Sequence, residues 1–141
     1  MERSIKVVIP ETDNDHQYIR PEVLEDVVDT ITREFGGVTV YPQAAGCWIN
    51  NDGDMDCDRN MVVETTIIGS PQDVTQHLTW MNEYLKKLGV QLGQEALFEQ
   101  VDKATETEFV PGRRLNKLPP DLVNTNRPRA NPATVLREML P

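Results

Sequence analysis

Cysteine, histidine and aromatic residues are scarce in this chain. There are two cysteines, two histidines and 6% aromatics among 141 residues. Two cysteines are too few for a disulfide framework, and reduced thiols in a cytoplasmic setting are the simpler expectation. No apolar run approaches the eighteen or so residues that a membrane-crossing helix needs. The opening MERSIKVVIP has no apolar core of the kind that marks a secretory leader. Net charge is −9, which argues against binding duplex nucleic acid through the whole surface. A P-loop, a G-x-G-x-x-G turn and a G-x-S-x-G elbow are all missing, and no motif calls for a cofactor.

The charge that is present is unevenly spread. Residues 1–110 carry 8 Lys/Arg against 21 Asp/Glu, a net of −13, whereas residues 111–141 carry 6 against 2, a net of +4. Six of the ten prolines fall in that last stretch. Proline lacks a backbone donor and restricts its predecessor, so the tail is neither a central strand nor one long helix. The division implied is a domain over 1–110 followed by an extended, basic arm over 111–141. Leu115, Leu118, Leu122 and Val123 give the arm apolar anchors that a solvated tail would not need. Asn131-Pro132 is a good helix start, predicting a short helix over 132–140. So short a helix needs a surface to dock on, in its own domain or in a neighbouring subunit.

Within 1–110, Ser4–Pro10 reads as a strand. Pro21 then opens a helix whose Val23, Leu24, Val27, Val28, Ile31 and Phe35 form one apolar stripe. Gly36-Gly37 ends it. Short strands are expected at 38–41 and 46–49, hairpin chemistry at 50–53, and a clear strand at 61–68. Ser70-Pro71-Gln72-Asp73 starts a second helix, with Ser70 as N-cap and Asp73 in the capping-box position. Its stripe runs from Val74 to Leu88, and Gly89 ends it. Strands at 95–101 and 107–110 complete the order β-α-β-β-β-α-β-β. Two amphipathic helices must each bury one face, which predicts an α+β, ferredoxin-like antiparallel sheet with both helices on one side.

FGGVTVY at 35–41, Gly46-Cys47-Trp48, Gly53 and LGQEALFEQVD at 92–102 occur in a recognisable order. Over roughly residues 5–110 the chain resembles a small uncharacterised α+β family of bacterial, phage and plasmid genomes. The shared features are a "GG-T" step from helix to strand, a Gly-x-Trp on the next strand, a second helix, and "GQE" before a late strand. The resemblance implies the fold and supplies no catalytic set. It departs at an Asp-rich insert after the Trp turn, and the arm lies outside it.

Few residue constellations meet the requirements of a chemistry. Asp52 to Asp58 is acid-rich, but a calcium loop begun at Asp52 would need Gly and Glu where Cys57 and Val63 stand. Cys47 and Cys57 with His16 and His77 lack the spacing of a zinc knuckle, so no metal is expected. Gly46-Cys47-Trp48 has no histidine far downstream for nucleophilic cysteine chemistry. His77 borders an apolar helix stripe and reads as a packed histidine. Glu64 and Glu95 read as outward residues of alternating strands, although paired carboxylates and a histidine are also acid–base candidates. What remains is a recognition pattern. Arg113 and Arg114 suit phosphate or carboxylate oxygens, while Tyr41 and Trp48 on adjacent strands could stack on a base.

These features favour a non-catalytic binding protein that forms a homo-oligomer through 111–141. It would hold a small anionic, nucleotide-like ligand at Arg113, Arg114, Tyr41 and Trp48. A phage or mobile-element accessory protein is one concrete form. The alternatives are a small enzyme using His77 or Glu64/Glu95, and an interaction module with no ligand.

Overall fold

A computed structural model of the chain describes residues 2–102 and 106–134. The order is β1 (Glu2–Pro10), α1 (Pro21–Phe35), β2 (Thr39–Ile49), β3 (Met55–Ile68), α2 (Pro71–Gln91), β4 (Ala96–Val101) and β5 (Glu106–Pro111). The strands form one sheet in the order β2-β3-β1-β4-β5, and every neighbouring pair is antiparallel. This is the expected α+β, ferredoxin-like arrangement, with β5 added at one edge.

Alternation gives each strand two different faces. Ile5, Val7 and Ile9 are fully buried on one side, in register with Thr65, Val63 and Met61 of β3. Over them lie Val27 and Ile31 of α1 and Val74, Met81, Leu85 and Leu88 of α2, in one continuous core. Both helices therefore cover the same face. Among the described residues, no helix lies on the opposite face, which carries Lys6, Val8, Val62 and Glu64.

The helix signals act as the sequence predicts. Pro21 stands at the first position of α1, and Gly36 takes the left-handed cap at φ 89°. Ser70 and Asp73 form a reciprocal capping box at the start of α2. α2 ends differently. It passes through Gly89 to Gln91, and Gly93 takes the positive φ of 66° instead. Gly89 serves close packing, because a Cβ there would lie 3.1 Å from the Cα of Gly112.

Two strand expectations and one about the cysteines need correction. The short strands at 38–41 and 46–49 are one strand, β2, with a register shift between Tyr41 and Ala44 that absorbs Pro42. β3 begins at Met55, so the Asp-rich stretch is largely strand: Asp56, Asp58 and Asn60 alternate with Cys57, Arg59 and Met61. The two cysteines are not reduced thiols. Cys47 faces Cys57 across the hairpin with Cα atoms 4.0 Å apart, and the two form a disulfide. The Cys57 N–H points away from β2, leaving a non-hydrogen-bonded cross-strand pair whose side chains converge. With the two sulfurs joined, cysteine usage no longer points to a reducing compartment.

Residues 112–132 lie on the same chain as a strap across the end of the sheet. The strap starts where the Gly112 N–H donates to the Glu95 carbonyl. Leu118 and Val123 are buried in the core, and Leu115 and Leu122 pack against it. The loop between β1 and α1 holds the strap in place. Asp13, itself buried, accepts from Asp15 and Gln17 with one oxygen and from the Leu118 N–H with the other. Asn14 donates to the carbonyls of Gly93 and Leu115. Arg129 and Lys117 approach Asp15 at 2.9 and 3.8 Å, and Arg127 lies 3.5 Å over the Tyr18 ring. At its far end the Pro132 carbonyl accepts from the Cys57 N–H, taking the ladder position that β1 leaves vacant by ending at Pro10. The Asn131 side chain accepts from Ala133, starting a turn. The rest of the predicted 132–140 helix lies outside the described residues.

Candidate functional site

The helix-free face carries a groove of about 240 Å³ lined by Ser4, Lys6, Glu64, Gln100 and Asp102. Three strands build it. Ser4 and Lys6 of β1 are the residues that alternation turns away from Ile5 and Val7. Glu64 of β3 is in register with Lys6, and Gln100 of β4 is in register with Lys6 from the other side. Asp102 follows β4, its N–H donating to the Ser4 carbonyl at 2.7 Å. Next to Gln100, Glu99 faces the helices and is buried opposite Val7. Consecutive residues of one strand thus serve opposite faces.

Lys6 Nζ stands 4.0 Å from Glu64, with half of the lysine side chain exposed. A pair so open to water contributes between nothing and about 1 kcal/mol to stability. A ligand can rearrange it at little cost. Glu64 also borders a second depression of about 300 Å³ at the start of β2, with Phe35, Val38, Thr39 and Thr66. Among the described residues, Glu64 is the one that lines both hollows.

The other candidate residues are dispersed. Tyr41 and Trp48 do share the helix-free face, on the edge strand β2, and are 50% and 44% exposed. Arg113 and Arg114 follow β5, beyond the opposite edge of the sheet. Arg114 lines a shallow depression with Asn14, Gln94 and Glu95. A single chain therefore does not bring the arginines to the aromatics. His77 lies on the helix side, its Nδ1 3.4 Å from Glu34 and its ring 5.1 Å from that of Phe35. His77, Glu95 and Glu64 do not converge, and of the three only Glu64 reaches the groove. With their sulfurs joined, Cys47 and Cys57 have no thiolate to offer a metal. Among the described residues no three His, Cys, Asp or Glu side chains gather as a metal-ligand set.

Ser4, Lys6, Gln100 and Asp102 were not singled out from the sequence. A signal existed: Lys6 interrupts SIKVVIP at every-other-residue spacing, marking which face of a central strand meets water.

A split β-α-β sheet with one open, polar face defines the class of fold. No family model and no curated protein matches the sequence. Among solved structures, the chain is similar to a phage SAM lyase in complex with S-methyl-5'-thioadenosine. The TM-score is 0.58 at 12% identity, over 78% of this chain and 89% of that one. The apo form of a phage SAM lyase gives 0.56 at 12%, over 77% and 88%. The divalent cation tolerance protein Cut A1 from Thermus thermophilus gives 0.43 at 16%, over 62% and 72%. At such identities the likeness is one of fold. No helix among the described residues is long and apolar enough to cross a membrane.

Proposed function

We propose that the protein is a small-ligand-binding protein of the phage or mobile-element type, and that its open-face groove holds a nucleoside-like molecule. The observation that carries this reading is the convergence of Ser4, Lys6, Glu64, Gln100 and Asp102 from neighbouring strands on one hollow. Pockets of this kind fix a ligand by a few placed polar groups. The fold it shares with a phage protein carrying S-methyl-5'-thioadenosine supports the choice of ligand class.

Charge refines that class. The groove sets two carboxylates against one lysine, so it suits a neutral or cationic nucleoside better than a polyphosphate. Carboxylates accept hydrogen bonds from a ribose diol, and Gln100 both donates and accepts. The anionic ligand expected from the sequence rested on Arg113 and Arg114, which line a different part of the surface.

Titration calorimetry with S-methyl-5'-thioadenosine, adenosine and AMP tests the reading. Saturable binding of the uncharged nucleosides is expected, weakened at least about tenfold by Glu64→Gln, the loss of one charged hydrogen-bond partner. Arg113→Ala/Arg114→Ala is expected to bind as wild type does. Binding of none of the three, or binding that follows the arginines, overturns it.

One observation favours acid–base chemistry as a second reading: Glu64 alone of the acid–base candidates lines the groove. Turnover of S-adenosylmethionine, followed as release of S-methyl-5'-thioadenosine and abolished by Glu64→Gln, would support that reading over simple capture.

A further inference from the structure

Within the described part of the arm, the strap hides the apolar anchors expected to drive assembly, so these side chains are not available to a second copy. Leu115, Leu118, Leu122 and Val123 all pack on their own chain. Most of the strap's cations are engaged there too, Lys117 and Arg129 at Asp15 and Arg127 on Tyr18. Arg113 and Arg114 are exposed and, among the described residues, make no ion pair or side-chain hydrogen bond. Val90, 48% exposed, stands on the last turn of α2 next to Gly89, which packs against Gly112, the residue before Arg113.

The opposite feature stands at the other edge of the sheet. The β2–β3 hairpin runs past the end of β1, so neither helix covers it. Ile49 and Met55 face each other across it at 68% and 52% exposure, next to the disulfide. Its turn is held in one shape, Asn50 accepting from the N–H groups of Asp52 and Asp54. The carboxylates of Asp52 and Asp54 stand exposed, while Asp56 and Asp58 face Asn50 and His16.

We propose that the acidic hairpin tip of one copy docks on the Val90–Arg113–Arg114 patch of a second copy. Each surface is an apolar centre with two unspent charges, and the charges have opposite sign. The two surfaces belong to opposite edges of one sheet, which sets them up for a head-to-tail contact between different copies. Complementary charge of this kind chooses the partner and the register.

Sedimentation of the full chain at low and high salt tests the proposal. Wild type should associate in low salt and weaken in high salt. Asp52→Lys/Asp54→Lys and Arg113→Glu/Arg114→Glu should each weaken association by about tenfold or more, since attraction becomes repulsion at two exposed pairs. The combined four-site variant swaps both charges and should restore association. Circular dichroism checks that each variant is folded. A wild-type chain that stays monomeric at high micromolar concentration overturns the proposal, as does a four-site variant no better than either parent. Because all four positions lie outside the ligand groove, loss of assembly with nucleoside binding intact separates this proposal from the functional reading.

Discussion

On one face of the sheet, Ile5, Val7, Ile9, Met61, Val63 and Leu97 lie beneath two helices; one residue along each strand, Ser4, Lys6, Glu64 and Gln100 line an open groove. The same backbone supplies both faces. Burial dominates the first, since each large apolar side chain taken from water is worth about 1.5–3 kcal/mol. The second holds polar groups whose mutual contacts are weak, which leaves them available to a ligand. Stability and recognition are thus adjacent in sequence yet separable by mutation.

The largest expected effect breaks that comparison directly. Leu85 is fully buried at the centre of α2, and Leu85→Ala should cost about 2–5 kcal/mol through lost burial and the cavity left behind. Lys6→Met, on the open face, should change stability by about 0.5 kcal/mol or less. Urea unfolding of the two variants measures both. Equal losses would show that the open face is structural after all.

The hairpin beyond Pro10 belongs to neither regime, and the disulfide takes the place of a core there. The Cys47–Cys57 link closes a loop with a sequence separation of 10. Cys47→Ser/Cys57→Ser should therefore cost about 2–3 kcal/mol on the chain-entropy account. Hydrogen exchange at the Cys57 amide should speed up in that variant, because that amide ties β3 to Pro132 of the strap. Unchanged stability and exchange would show that the strap and hairpin hold without the link.

Legibility in the sequence followed the same division. α1 was readable to its end residues because Pro21, a clean stripe and Gly36 all point to the same boundaries. The two-faced strands were readable where apolar residues dominate, as in MVVETTII. They were lost in MDCDRN, where the outward Asp56, Asp58 and Asn60 resemble loop chemistry although every second residue faces inward. The expected strands at 38–41 and 46–49 are one edge strand, because a bulge absorbs Pro42 between them. The groove escaped notice because its members come from β1, β3 and the end of β4. Only strand order brings them together, and a single sequence does not display strand order. The disulfide depended on register in the same way. Leu118 and Val123 did announce that the arm docks somewhere, but the partners that fix it, Asp13 and Asn14, looked like ordinary loop residues.

The smallest expected effect concerns the end of the sheet where strap, loop and hairpin meet. Burial raises the Glu11 carboxyl above its ordinary value, against the opposing pull of the Gln43 N–H, Arg59 and Arg127. Burial also raises Asp58, with His16 opposing and Asp56 adding to the shift. A carboxyl with a raised folded-state pKa holds its proton more tightly in the folded chain than in the unfolded one. Between the ordinary and the raised value the folded state therefore binds more protons, and stability falls as pH rises through that window. Asp73 behaves oppositely: its hydrogen bonds to Ser70 lower its pKa, giving stability that is lost only as pH falls through the lowered value. Urea unfolding from about pH 7 down to about pH 2, through the ordinary carboxylate range and below it, resolves the two signs. Glu11→Gln/Asp58→Asn should flatten the decline towards neutral pH while keeping the amide oxygen that accepts from Gln43. The change should be the smallest of the set, because both carboxyls are only half-buried and water screens them. A steeper decline in the double variant would mean that the ionised carboxylates, through Arg59, Arg127 and His16, hold the strap more than burial opposes them.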